Sequence, residues 1–249
     1  MGLLHEHKKI PVTAIIAAGG TGSRLGVAGG KQLMPLAGRS VLSWSIDAIA
    51  AASRVGELIV ACDPERVNEY EETVRQELFT TKPVRFIGGG NTRQKSVGQA
   101  LSALSSEQVK GIVLIHDGAR PLVKTEEVDA ACLTLIDLRK HEAEPEVAGL
   151  VFGQPSVDTI KRVGDDAVIT ATLKRAELWC AQTPQIFWGS ELTCAYDLAE
   201  VSGVQGTDDA SLVEHLGRSV KMITTARTNI KITHEEDIAL AEYLLSRSK

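Results

Sequence analysis

The sequence predicts an α/β protein: one doubly wound, mostly parallel sheet with a β-hairpin arm projecting from it. Three observations carry this. Short β-branched apolar runs alternate with segments of helical spacing along most of the chain, which calls for parallel strands with helices on both faces. The first run, Val12 to Ala18, stops abruptly in glycines, as a buried strand entering a ligand loop does. The alternation then breaks between Pro155 and Cys180, where two extended segments flank Gly164-Asp165-Asp166, a sequence with turn chemistry.

Element by element, the strand at Val12 to Ala18 leads through the glycine loop to a helix over Val41 to Ala52. A strand at Glu57 to Ala61 follows and stops at Asp63-Pro64. The unit then repeats: a helix from about Glu65 to Leu78, a strand at Val84 to Ile87, a helix from about Arg93 to Leu104, and the most apolar strand, Gly111 to Ile115. A helix over Glu126 to Lys140, a charged loop around His141 to Glu146 and a strand at Val147 to Val151 come next. The hairpin pairs Ser156 to Val163 with Ala167 to Leu173. Two placements fit it: an arm that meets a second copy of the chain, or an antiparallel edge folded back on its own sheet. Helices near Ser190 to Val201 and Asp208 to Leu216, a strand near Ser219 to Ile223 and a helix from about Glu235 to Ser246 complete the pattern.

Composition narrows the function classes. With 27 basic and 32 acidic residues among 249, the net charge is 27 − 32 = −5, which argues against a nucleic-acid binder. The hydrophobic fraction of 43% is that of an ordinary globular chain, and we read residues 1–249 as one domain with the arm inserted at about 155–180. Cys62, Cys132, Cys180 and Cys194 form no C-x-x-C pair and are expected to be buried reduced thiols. No run is long enough to span a membrane and no secretory signal opens the chain, so the expected location is the cytoplasm.

The loop Ala17-Ala18-Gly19-Gly20-Thr21-Gly22-Ser23-Arg24-Leu25-Gly26 follows the first strand, where backbone N–H groups can wrap phosphates. It is neither common nucleotide motif: Leu25 stands where the third glycine of G-x-G-x-x-G belongs, and Gly30-Lys31 is followed by Gln32 rather than Ser or Thr. It does carry two cations, Arg24 and Lys31, seven residues apart, able to close over a triphosphate. The plainer alternative is a solvated surface loop.

This loop resembles that of nucleotidyltransferases that activate small phosphorylated molecules. Further segments resemble the 2-C-methyl-D-erythritol 4-phosphate cytidylyltransferase family in particular: Gly88-Gly89-Gly90-Asn91-Thr92-Arg93-Gln94-Lys95-Ser96-Val97, His116-Asp117-Gly118-Ala119-Arg120-Pro121, Arg175 to Trp179 with Thr183-Pro184-Gln185, Thr207-Asp208-Asp209-Ala210-Ser211, and Asn229-Ile230-Lys231-Ile232-Thr233. Six segments in family order span almost the whole chain. The resemblance implies a Rossmann-like nucleotidyltransferase fold, CTP and methylerythritol phosphate as substrates, a divalent cation (Mg2+), and a homodimer formed through the arm. Because the sequence ends soon after its last expected helix, the cyclodiphosphate synthase fused to some relatives is not expected here.

The resemblance also assigns residues. Arg24 and Lys31 would hold the triphosphate and stabilise the transition state, and Arg175 and Lys231 would position the acceptor phosphate. Asp117 would hold the metal, with Arg120, Thr159, Thr183 and Thr207 around the acceptor. Ala18, Gly19, Gly20, Gly22, Gly90, Asn91, Arg93, Ser96 and Gly118 would form the nucleotide side. Plainer alternatives are a turn or cap role for Asp117 and ordinary surface charge for Arg175 and Lys231. Asn91 departs from the acidic residue of many relatives, and Gly118 from alanine. His116 reads as structural, because an attacking phosphate needs no general base. Rival functions are a cytidylyltransferase for ribitol 5-phosphate or another polyol phosphate, a sugar-1-phosphate nucleotidyltransferase, and a noncatalytic nucleotide-binding module.

Overall fold

The computed structural model describes residues 10–19, 31–140 and 146–247, with the backbone alone at Lys31. Seven strands form the central sheet in the order β11-β7-β10-β6-β1-β4-β5. These are β1 (Val12–Ala17), β4 (Glu57–Cys62), β5 (Val84–Gly88), β6 (Ile112–Asp117), β7 (Val147–Pro155), β10 (Trp179–Trp188) and β11 (Ser219–Thr224). All neighbours are parallel except β10, which runs antiparallel to both β6 and β7. The expected mostly parallel sheet is therefore present.

Side-chain alternation explains the layers. From β1, Val12, Ala14 and Ile16 face one apolar cluster, where they meet Leu42, Ile46 and Ile49 of helix α1 (Val41–Ala50), Tyr70 and Val74 of α2 (Val67–Arg75), and Val128 and Leu135 of α5 (Thr125–Lys140). Ile15 faces the other cluster, with Val97 and Leu101 of α3 (Arg93–Ser102), Leu192 and Tyr196 of α6 (Gly189–Ser202), and Leu212 of α7 (Asp209–His215). Strands buried on both faces read as continuous apolar runs, which is why these strands were visible in the sequence. A short helix α4 (Ser106–Lys110) precedes β6, and the last helix, α8 (Glu235–Ser246), packs Ala241 against Leu36, Val41 and Ile232.

Three elements differ from the sequence expectation. The strand β10 was not expected. Its residues Gln182 to Pro184 fall in a register shift between Ala181 and Gln185, and a proline, which has no N–H to give, argues against a central strand. A small hairpin, β2 (Pro35–Leu36) with β3 (Arg39–Ser40), turns through Ala37 and Gly38 at positive φ, 48° and 86°. Alanine in that position hides the usual Asn-Gly or Asp-Gly turn signal. The arm's own ladder is shorter than read, β8 (Lys161–Val163) against β9 (Ile169–Thr172), standing on the paired ends of β7 and β10. Of the cysteines, Cys62 and Cys132 are buried as expected, whereas Cys180 and Cys194 are exposed, on β10 and α6. The charged loop at residues 141–145 lies outside the described residues.

Candidate active site

The chain runs from β1 outward to β4 and β5, then returns to pair β6 on the other side of β1. That reversal makes the carboxyl ends of β1 and β6 the switch point at which open α/β sheets bind ligands. Here Ala17 and Asp117 are register partners. The antiparallel β10 brings its irregular segment, Gln182 to Pro184, to the same end, and Asp117 N–H donates to Thr183 Oγ1 at 3.0 Å.

A cavity of about 270 Å³ opens at this end, lined by Arg93, Asp117, Arg120, Ala181, Gln182, Thr183, Gln185, Thr207, Asp208 and Lys231. Asp117 is its electrostatic centre. Arg93 Nε donates to Oδ1 at 3.0 Å, Lys231 Nζ lies 2.7 Å from Oδ2, and Arg120 Nε lies 3.7 Å from Oδ2. Burial opposes the charge on Asp117, but Arg93, then Lys231 and Arg120, outweigh it and hold the carboxyl well below the ordinary carboxylate range. Arg93, Arg120 and Lys231 thus gather on Asp117, while the second carboxylate of the lining, Asp208, accepts from Ser211 N–H and Gln185 Nε2; three cations against these two carboxylates suit the cavity to anionic ligands.

The wall is braced from behind. His116 is fully buried, with Nε2–H donating to Arg120 O at 3.0 Å and Nδ1 accepting from Thr183 Oγ1 at 3.2 Å. Burial pushes its pKa from 6.5 down to about 4, so the ring is neutral and both nitrogens are committed. Arg120 donates to Asn229 O at 2.8 Å, and Asn229 Nδ2 reaches Gln182 Oε1 and Thr183 O, both at 2.9 Å. These bonds tie the segment bearing Lys231 to the irregular part of β10.

A second wall lies at the ends of β1, β4 and β5. Gly89 N–H donates to Cys62 O at 2.6 Å. Ser96, 2% exposed on α3, accepts from Gly90 N–H at 3.1 Å and donates to Thr92 O at 2.9 Å. A side chain at Gly19 would place its Cβ 3.1 Å from Ser96 Oγ, so the start of the first loop and the Gly89-Gly90 segment are neighbours across one hydroxyl. Ala18 N–H donates to Ala61 O at 2.8 Å. At Gly118, an added Cβ would meet Leu42 Cδ1, the far end of a side chain, at 2.8 Å.

Comparison with known proteins shows what this chain is similar to. A family profile described as 2-C-methyl-D-erythritol 4-phosphate cytidylyltransferase matches residues 12–247. This chain belongs to that family. A relative of that name from Prochlorococcus marinus is 41% identical over 236 residues, covering 93% of this chain and 97% of its own. Another, from Symbiobacterium thermophilum, is 38% identical, covering 95% and 94%. Among solved structures, the 4-diphosphocytidyl-2C-methyl-D-erythritol synthase of Anaerococcus prevotii superposes with a TM-score of 0.78 at 26% identity, over 96% of this chain and 97% of that one.

Within this cytidylyltransferase fold, the sequence-derived candidates divide into four groups. Arg93, Asp117, Arg120, Thr183, Thr207 and Lys231 meet at the cavity, while Ala18, Gly19, Gly90, Ser96 and Gly118 border the strand ends and Asn91 is exposed beside them. Thr159 and Arg175 are on the exposed arm and do not line the cavity; Arg175 donates to Val157 O at 3.2 Å. Gly20, Gly22 and Arg24 lie outside the described residues, as does the side chain of Lys31. Sequence reasoning passed over Gln182, Gln185, Tyr196, Asp209 and the bracing role of Asn229. Gln185, Asp209 and Asn229 did carry a signal, as members of Thr183-Pro184-Gln185, Thr207-Asp208-Asp209 and Asn229-Ile230-Lys231, but nothing there named their partners.

Among the described residues, a metal ion would find Asp117 and Asp208 as the only carboxylates of the cavity lining, and no three His, Cys, Asp or Glu side chains gather. With so few carboxylates, the donor set fits Mg2+ where substrate phosphates and waters supply the remaining ligands, which is how that ion is commonly held.

Proposed function

We propose that this chain transfers CMP from CTP to 2-C-methyl-D-erythritol 4-phosphate, releasing pyrophosphate and giving 4-diphosphocytidyl-2-C-methyl-D-erythritol in non-mevalonate isoprenoid synthesis. The carrying observation is the triad of Arg93, Arg120 and Lys231 around Asp117 at the sheet's switch point, in a chain matched by this family's profile over residues 12–247. The reaction joins two phosphate anions. An acceptor phosphate oxygen forms a bond to the α-phosphorus of CTP, the bond from that phosphorus to the bridging oxygen breaks, and pyrophosphate leaves with the electron pair. The nucleophile is already ionised, so the barrier lies in approach and charge, which positioned cations lower.

Lys231 holds the acceptor phosphate, with Arg120 and the hydroxyls of Thr183 and Thr207 orienting the polyol. Arg24 and Lys31 bind the triphosphate and stabilise charge on the transferring and leaving groups. Backbone groups of Ala18, Gly19, Gly20, Gly90 and Asn91 read the cytosine, with Gly22 and Gly118 leaving room for the nucleotide and Ser96 fixing the Gly90 turn. Asp117 would hold Mg2+, which when bound supplies charge neutralisation to the triphosphate oxygens.

We further propose that the active enzyme is a homodimer whose arms exchange, so that Thr159 and Arg175 of one copy complete the acceptor site of the other. Two features support this. Arg175 is away from its own cavity, and the arm exposes Val157, Val168 and Ile169 at 62%, 59% and 58%, more apolar surface than a free hairpin keeps in water. A cytoplasmic location fits two phosphorylated substrates, and no helix among the described residues is long and apolar enough to cross a membrane. The proposed reaction is tested by phosphorus NMR of CTP, methylerythritol phosphate and Mg2+ with the protein: the expected product is a coupled diphosphate pair together with free pyrophosphate. Persistence of the CTP and acceptor signals would contradict it.

A further inference from the structure

The cavity's cationic wall rests on a buried anion that the reaction itself does not use. Asp209 is fully buried, yet it carries no capping duty: the N-cap of α7 is Asp208, whose Oδ1 accepts from Ser211 N–H at 2.9 Å. Both Asp209 oxygens instead receive the guanidinium of Arg93, 116 residues away, with Nη1 to Oδ1 at 3.0 Å and Nη2 to Oδ2 at 2.7 Å. Tyr196 Oη–H donates to Oδ1 at 2.6 Å. The remaining Arg93 edge, Nε–H, points to Asp117 Oδ1 at 3.0 Å.

Arg93 is the first residue of α3, where the helix dipole opposes a cation. Its orientation there depends on its anionic partners. A paired, forked geometry fixes a planar guanidinium in a way a single contact cannot. Burying a carboxylate for packing alone is unfavourable.

We infer that Asp209 is a positioning residue: with Tyr196 it clamps Arg93 so that one N–H, and only one, is given to Asp117, leaving Asp117 Oδ2 and the adjoining space for Lys231 and the acceptor phosphate. Without the clamp, Arg93 is free to turn its fork onto Asp117 and compete with Lys231. This rests on the cytidylyltransferase reading above and extends it one shell outward, along Tyr196, Asp209, Arg93 and Asp117.

The test is a double-variant cycle on the full-length protein with CTP and methylerythritol 4-phosphate. Asp209→Asn is expected to lower kcat/KM for the acceptor on the order of 10- to 100-fold, as loss of an orienting partner does, with KM for CTP changed less than about twofold. Tyr196→Phe should act in the same direction by about threefold. Neither change should add to Arg93→Gln, because both act through that residue. Wild-type kinetics in Asp209→Asn, or losses that multiply with Arg93→Gln, would overturn the inference. If calorimetry shows Asp209→Asn unfolded, the pair Tyr196→Phe and Arg93→Gln decides by the same criterion. Silence of the wild type with both substrates would instead contradict the proposed reaction. In that case the Arg93 Nε–H resonance in nitrogen-15 spectra still reads the clamp: it should shift and exchange faster in Tyr196→Phe, and an unchanged resonance would overturn the inference.

Discussion

Lys231 Nζ lies 2.7 Å from Asp117 Oδ2, an ion pair between the segment before α8 and the end of the central strand β6. Lys231 is still 38% exposed in its side chain while Asp117 is 10%, so the lysine can turn toward a ligand while the carboxylate stays fixed. In the proposed reaction, acceptor phosphate and triphosphate would meet beside this pair.

Replacing Lys231 by Ala should lower kcat/KM for methylerythritol phosphate about 100-fold or more, the scale for a lost charge-stabilising donor. KM for CTP should move little, and the fold should survive a change at a half-exposed side chain. Steady-state kinetics with each substrate varied checks this; an unchanged acceptor dependence would remove Lys231 from the site.

If each site borrows Arg175 from a second copy, two inactive variants should complement. Arg175→Ala and Lys231→Ala, unfolded together and refolded as a mixture, should regain about a quarter of wild-type activity: half of the random dimers are mixed, and each holds one intact site of two. No recovery, with dimers present by light scattering, would place Arg175 in its own chain's site or outside both.

The Gly90 turn makes a separate prediction about the nucleotide side. A Cβ on Gly90 would overlap Lys95 Cβ and sit 3.2 Å from the Lys95 carbonyl carbon, atoms held by the first turn of α3. Gly90→Ala should therefore open the turn that Ser96 braces and raise KM for CTP about tenfold, with acceptor KM nearly unchanged. Calorimetric binding of CTP measures the same loss without turnover.

Stability should fall in mild acid through His116. The unfolded imidazole takes a proton near pH 6.5 and the folded one only near 4, so stability from the neutral ring is complete above 6.5 and is lost as pH falls toward 4. The shift corresponds to about 3 kcal/mol. Asp117, lowered from an ordinary 3.8, and Glu77, whose burial is outweighed by hydrogen bonds from Ser40 and Ser43 that lower it from 4.5, add to the decline only toward the acid end of this window. Denaturant unfolding from pH 7 to 4 should show this decline in wild type and a smaller one in His116→Asn; equal declines would locate the effect elsewhere.

Much of the scaffold was legible because buried parallel strands and amphipathic helices write different periods into a sequence, as Ile112–Asp117 and Arg93–Ser102 do. The strand Trp179–Trp188 escaped because Pro184 sits in its register shift, and the turn at Ala37-Gly38 because alanine rarely takes positive φ. Segment order pointed to Asp117 and Lys231 but not to their spacing. Asp209 stayed hidden for a related reason: its partner Arg93 is 116 residues distant, and only the packing of α3 against α6 and α7 joins them. Cys180 and Cys194 were misread as buried since an apolar neighbourhood in sequence does not say which side of an element faces the core.

In the proposed reaction the site selects both its acceptor and its nucleotide. The most direct measurement is pyrophosphate release with Mg2+ present, pairing methylerythritol 4-phosphate or ribitol 5-phosphate with each of the four ribonucleoside triphosphates. Turnover with methylerythritol phosphate and CTP should be at least 100-fold above every other pair, and should be abolished by chelating the metal. Preference for ribitol phosphate, or release with no pair at all, would contradict it.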